Sequence, residues 1–214
     1  PSYYKVGNTW HGVDIDILEQ LTTRAGLTHK YVVIPFARGL KGMENGTIHL
    51  MPNLNKNEAR SRYMTWLGPV RHYETALIVQ ARHQNLKITN YDELIAACRE
   101  TGLKLGYAIG TSFSPSLDAL LATPEFSAYV MDVPDDASMT RMLKAGRIFG
   151  YVMDAFVAKA LQAKSLDLGG MDLDGLAVHA FRVPHSRSGA YIGVSKKLDK
   201  PVVLKLQKAL DEML

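Results

Sequence analysis

Apolar residues recur along the chain in two rhythms. Residues 13–26, "VDIDILEQLTTRAG", carry them at helical spacing and end at Gly26, a helix stop signal. Residues 31–35, "YVVIP", are rich in β-forming residues and stop at Pro35, which predicts a strand. "FARGLKGMENG" (36–46) reads as a helix closed by Gly46, and "TIHLMPN" (47–53) as a strand. Between 51 and 70 the chain runs "MPNLNKNEARSRYMTWLGPV": an apolar strand end, a polar turn, a short helix holding Arg60, and an apolar exit. A longer strand is expected over 75–81, "TALIVQA". A loop and helix follow in "LKITNYDELIAACRETG" (86–102), with Asn90 as N-cap.

The second half keeps the alternation. "LKLGYAIG" (103–110) is predicted as a buried strand ending at Gly110, and "TSFSPSLDALLATPEF" (111–126) as a helix opening at that strand's end. Strand, helix, strand and helix are expected over 128–133, 136–146, 149–154 and 155–165. Strands over 175–183 and 190–197 then lead to a last helix over 198–214, with Pro201 in its first turn. Repeated β–α alternation predicts an α/β fold with mostly parallel sheet. Ligands of such sheets bind at the carboxyl ends of strands, which points to Asn53, to the turn Gly110, Thr111, Ser112, and to Asp154.

Composition narrows the function classes. The chain has 214 residues, 47% hydrophobic and 21% charged, the balance of a globular protein with a real core. Its apolar runs are far short of a membrane span. No charged-then-apolar leader opens it, so an exported protein would already have lost its signal. The net charge of +4 comes from Lys and Arg spread among acids, without a basic block or basic–aromatic alternation. It reads as a solvated surface, and no nucleic-acid partner is expected. A single cysteine, Cys98, excludes an internal disulfide and falls in a helical pattern as a core or half-buried residue. No P-loop, dinucleotide glycine signature or H-E-x-x-H is present. The seven histidines have no metal spacing, so neither metal nor cofactor is expected. Asp14 and Asp16 stand at a helix start, where carboxylates suit the dipole. "GTSFS" is not G-x-S-x-G, because position 114 is Ser114, and a nucleophile elbow is not supported.

Five stretches in series, "GVDIDILEQL", "PFARGLKGMENGTIHLMPNLNKNEAR", "LKLGYAIGTS", "LKAGRIFGYVMD" and "AYIGVSKKLDKPVVLKLQKALDEM", resemble bacterial extracellular solute-binding proteins of the polar amino-acid type. The resemblance covers nearly the whole chain. It implies a type II periplasmic-binding-protein fold: two lobes, each a mostly parallel sheet flanked by helices, joined by two crossover strands that act as a hinge. Lobe one would take residues 1–81 and 184–214, and lobe two residues 82–183, with "ALIVQARH" and "LAVHAFRVPH" as the crossovers. The implied function is capture of an amino acid or similar zwitterion in the periplasm, as a monomer, for the permease of an ABC importer. The alternatives are the sensor domain of a membrane kinase or cyclase, with a fused signalling module as partner, and a dehydratase of the same fold. Catalysis would need a general acid or base, for which only Glu58 and Asp154 are placed; the chain is therefore not expected to be an enzyme.

The resemblance also implies site roles. Arg60 would hold the ligand's α-carboxylate, a bidentate match for a guanidinium fork; otherwise it is a surface arginine starting a helix. Asp154 would take the α-ammonium, or N-cap the next helix. Thr111 and Ser112, in the family's Gly-Thr-Ser turn, would meet an anionic group with backbone N–H and hydroxyls, and either would also serve as a plain N-cap. Asn53 and Asn55 are turn formers whose amides would bond a ligand amine or side chain. Phe36 would wall the ligand side chain or pack in the core. Arg38 faces solvent or an acidic ligand group. The chain departs from the family in three places. His49 replaces an aspartate. The turn before Arg60 is one residue shorter than in the best-known amino-acid binders. The family's first strand and an aromatic after it would precede residue 1, with Tyr3 or Tyr4 as a substitute for that aromatic.

Overall fold

The computed structural model describes residues 4–6, 8–163, 172–184, 186 and 188–213. The chain forms two compact units, Pro1–His72 with Gly189–Leu214, and Tyr73–Ser188.

The first unit opens with an antiparallel hairpin of β1 (Tyr4–Val6) and β2 (Thr9–His11), followed by helix α1 (Val13–Arg24). Next come α2 (Phe36–Asn45), β3 (Leu50–Leu54), the short α3 (Glu58–Ser61) and β4 (Met64–Tyr73). Gly46 closes α2 at φ 85°, the left-handed conformation that its place after the last periodic residue predicted. The second unit holds β5 (Thr75–Gln80), α4 (Tyr91–Thr101), β6 (Leu105–Ala108), α5 (Pro115–Leu121), α6 (Pro124–Ser127), β7 (Val130–Val133), α7 (Asp136–Lys144), β8 (Gly150–Asp154), α8 (Ala155–Gln162) and β9 (Leu176–Arg182). The chain returns to the first unit through β10 (Ser188–Ser195) and ends in α9 (Lys200–Asp211). The final residues of the helices expected over 155–165 and 198–214, namely 164, 165 and 214, lie outside the described residues, as does Tyr3.

In the first unit the sheet order is β3-β10-β4, with β10 antiparallel to β3 and a bulge between Tyr191 and Gly193. Leu18 and Leu21 of α1 pack with Leu206, Ala209 and Leu210 of α9 over Leu67, Ile192 and Val194. In the second unit the order is β7-β6-β8-β5-β9. β6 runs parallel to β7 and β8, while β5 runs antiparallel to β8 and β9. β5 is apolar at successive positions because both faces of its sheet are covered. Leu77 and Val79 join a core with Leu94, Leu105 and Phe181, and Ile78 joins one with Met139, Leu143 and Tyr151 on the other face. β8 passes close to β5: a Cβ at Gly150 would stand 2.6 Å from the Ile78 carbonyl oxygen. The buried His179 pins the segment after β5. The Phe181 N–H donates to its Nδ1 at 3.0 Å, so the ring proton sits on Nε2 and donates to the Leu86 carbonyl at 2.9 Å.

The compact units divide at 72/73 and 188/189, with β5 and β9 paired inside the second unit's sheet. Three expectations need correction. The sheets are mixed rather than mostly parallel, since β5, β9 and β10 all have antiparallel partners. Residues 31–35 form no strand. No backbone hydrogen bond holds 31–34 among the described residues, and Val32 and Val33 are 56% and 72% exposed. The segment after β6 is a loop until Pro115: Ser114 is the N-cap of α5, accepting from Leu117 N at 3.2 Å, so neither Thr111 nor Ser112 opens the helix.

Candidate functional site

In the first unit the site grows from the polar turn after β3. Asn57 caps α3, its Oδ1 accepting from Arg60 N at 2.9 Å. Ser61 Oγ donates to Asn57 O at 2.6 Å and accepts from Trp66 Nε1 at 2.9 Å. Lys196 Nζ donates to the Ser61 carbonyl at 2.7 Å, a cation at the carboxyl end of this single-turn helix. These bonds hold the backbone that carries Arg60. The Arg60 side chain is folded inward, only 4% exposed, although a surface arginine was the ordinary alternative. Its Nη1 donates to the Asn55 carbonyl at 2.9 Å, and its guanidinium lies over the Phe36 ring, 5.6 Å from the centroid. Phe36 takes its expected core role, packed on the Met43, Leu54, Met64 core, and also presents a face to Arg60. Phe36, Asn55 and Arg60 are thus brought together, while Arg38 and Glu58 face solvent.

Asn53 belongs to a neighbouring network. It holds φ 57°, the left-handed region that asparagine tolerates better than most residues. Its Oδ1 accepts from Arg71 Nη2 at 2.8 Å, and Arg71 Nε donates to Asp14 Oδ1 at 3.2 Å. Asp14 is 1% exposed. The sequence reading placed Asp14 with the helix dipole and missed Arg71 altogether. A signal for Asp14 was present: it stands four and seven residues before Leu18 and Leu21, on the buried face of α1. A carboxylate on that face requires a cation. Which cation answers it was not legible, because Arg71 lies far along the chain on β4.

In the second unit the candidates lie at the carboxyl ends of β6 and β8, which are parallel neighbours and so end on the same edge of the sheet. Thr111 donates both its N–H and its hydroxyl to the Ala108 carbonyl, at 3.1 and 2.6 Å. Ser112 Oγ donates to Asp118 Oδ2 at 2.6 Å. Both hydroxyl protons are directed to protein acceptors, so toward a ligand these oxygens act as acceptors. Asp154 ends β8, 8% exposed, and its Oδ1 accepts from Phe156 N at 2.8 Å as the cap of α8. The carboxylate adds acceptor capacity to the same edge. A cavity of about 360 Å³ in this unit is lined by Gly110, Tyr107 and Asp132 among others, and includes none of Thr111, Ser112 or Asp154. No cluster of metal-ligating side chains occurs among the described residues.

The two groups have opposite chemistry: a buried guanidinium on one unit, a carboxylate with two acceptor hydroxyls on the other. The model of the bacterial extracellular solute-binding proteins, family 3, matches residues 1–214. The chain belongs to this family. Three solved structures carry the same fold. An ancestral arginine-binding protein bound to arginine matches at TM-score 0.78 and 20% identity, over 100% of this chain and 87% of that one. The ancestral arginine-binding protein bound to glutamine matches at 0.76 and 21%, over 100% and 86%. An amino-acid ABC transporter substrate-binding protein from Streptococcus pneumoniae, bound to L-arginine, matches at 0.76 and 17%, over 99% and 82%. No curated protein matches the chain. The solute-binding chain thus has the two-lobed periplasmic-binding-protein fold, and among its described residues no helix is long and apolar enough to cross a membrane.

Proposed function

We propose that this solute-binding protein captures an amino acid outside the cytoplasm, in the periplasm, and delivers it as a monomer to the permease of an ABC importer. The observation that carries the reading is the Arg60 guanidinium: buried, braced by the Asn55 carbonyl and the Phe36 ring, and carried on α3 just past β3. A buried cation is held there at a desolvation cost that an anionic partner offsets. Arg60 takes the α-carboxylate, with Asn53 and Asn55 beside it on the same turn. Asp154 takes the α-ammonium, supported by the Thr111 and Ser112 oxygens. Phe36 meets the ligand side chain. A zwitterion needs both half-sets, and each of its desolvated charges must be paired, which gives selectivity over ligands that lack one of them. The same arrangement supports binding without turnover: Asp154 caps α8 and Glu58 faces solvent, and no acid–base pair stands among the assigned residues.

The test is a thermal-shift screen of the twenty amino acids on protein unfolded and refolded to strip carried ligand, with Arg60→Ala alongside. Ligand at 100 times its dissociation constant stabilises by about 2.7 kcal/mol. For a chain of this size that raises the midpoint by about 5–10 °C. A shift with one or a few amino acids, lost in Arg60→Ala, supports the reading and identifies the ligand. A flat response to all twenty refutes amino-acid binding.

A further inference from the structure

We infer that Arg71 and Asp14 set the polarity of the first unit's site, by turning the Asn53 amide so that it meets a ligand only as a hydrogen-bond donor. The inference rests on the amino-acid reading above, and names the ligand group that this side of the site accepts. A guanidinium carries donors and no acceptor, so an amide facing it must present its oxygen. That is the observed contact, Arg71 Nη2 to Asn53 Oδ1 at 2.8 Å. The Nδ2 group is thereby directed to the opposite side of the amide, and whatever else it touches there, it can only donate.

The guanidinium is not at liberty to turn away. Its Nε is engaged by Asp14 Oδ1 at 3.2 Å, with the two side chains 14% and 2% exposed. Asp14 is anchored in turn by its place in the first turn of α1, where the helix dipole favours a carboxylate. The left-handed backbone of Asn53 completes the arrangement, fixing the angle at which the side chain leaves β3. A chain of three residues from α1, β4 and β3 therefore orients one amide. Arg60, on the turn just beyond, is also a donor without an acceptor. The Arg60 and Asn53 side chains thus select a group with lone pairs and negative charge, the ligand's carboxylate, and not its ammonium. Arg71 and Asp14 are positioning residues in this scheme, acting through Asn53.

Asn53→Asp separates polarity from shape. The aspartate accepts from Arg71 as the amide oxygen did and tolerates the same backbone region, so only the outward donor changes, to a charged acceptor. Calorimetric titrations of wild type and N53D would use L-arginine, L-glutamine and their α-carboxamides, L-argininamide and L-glutaminamide. For an amino acid that wild type binds, N53D is expected to bind at least about tenfold more weakly, with an unchanged thermal midpoint. Toward the corresponding α-carboxamide the loss shrinks to about threefold or less, because the repulsion needs the ligand's carboxylate. The same substitution in a D14N/R71M background tests the positioning role. There the amide is no longer held, and the N53D penalty is expected to fall at least about threefold below that in the wild-type background. N53D binding as tightly as wild type overturns the inference and leaves the amino-acid reading standing. Equal N53D penalties in both backgrounds overturn the role of Arg71. Wild type binding none of the twenty amino acids overturns both readings together, and if it binds one other than these two, that amino acid and its α-carboxamide take their place in the titration. If D14N/R71M does not fold, D14N alone, which releases the Arg71 guanidinium, serves as the second background.

Discussion

Arg71→Met is the perturbation whose size the structure defines best. Asp14 is 1% exposed, and its Oδ1 accepts from Arg71 Nε at 3.2 Å. Removing one partner of a buried ion pair costs about 3–5 kcal/mol, because the other charge stays in a medium that solvates it poorly. Asp14 stands in the first turn of α1, and the helix dipole offsets about 1 kcal/mol of that. The expected destabilisation is therefore about 2–4 kcal/mol, or a midpoint lowered by about 5–15 °C. Removing both charges in D14N/R71M leaves neither ion of this pair buried, so the double variant is expected to be more stable than R71M alone, with a coupling energy of about 1–2 kcal/mol or more. Urea denaturation of the four proteins of the cycle is the assay. R71M within about 0.5 kcal/mol of wild type, or strictly additive substitutions, would refute the reasoning.

Two further predictions concern the second unit. Cys98 is 1% exposed and burial pushes its thiol up to about 12, so iodoacetamide at pH 8 is expected to leave the native protein unmodified and to label it fully in denaturant; rapid native labelling would contradict this. The same group makes stability fall as pH rises from the unfolded thiol value, about 8.5, toward 12, since the folded state retains a proton that the unfolded state has lost. His179→Phe removes both bonds of the imidazole and is expected to cost about 1–3 kcal/mol, chiefly from the buried Phe181 N–H, because the exposed Leu86 regains water. An unchanged denaturation midpoint would show that the clasp carries no stability.

Local signals in the chain sufficed for most elements. Asn90 caps α4 as its spacing before the apolar run predicted, and Gly46 closes α2 in the left-handed conformation expected there. Both depend on groups within a few residues of each other. The same locality explains the error at 111–126. Thr111, Ser112 and Ser114 are all competent caps, and the structure uses Ser114, next to Pro115, while turning the other hydroxyls back to Ala108 and Asp118. The strand expected over 31–35 fails for a different reason. Val32, Val33 and Ile34 are β-branched, but no backbone hydrogen bond holds 31–34 among the described residues, and a strand requires one.

By itself, then, the sequence determined the alternation of elements, the family, the place of Arg60 in a short helix past a strand, and that of Asp154 at a strand end. Periodicity, caps and turn residues act over a few positions and are written in order along the chain. Only the tertiary structure decided that β5 and β9 pair antiparallel within the second unit, that Arg60 is buried against Phe36, and that Arg71 joins Asp14 to Asn53 across 57 and 18 residues of chain. Strand pairing direction and the choice of partner for a buried charge depend on which segments meet in space. Many arginines of this chain would satisfy Asp14 equally well in composition, and packing selects one.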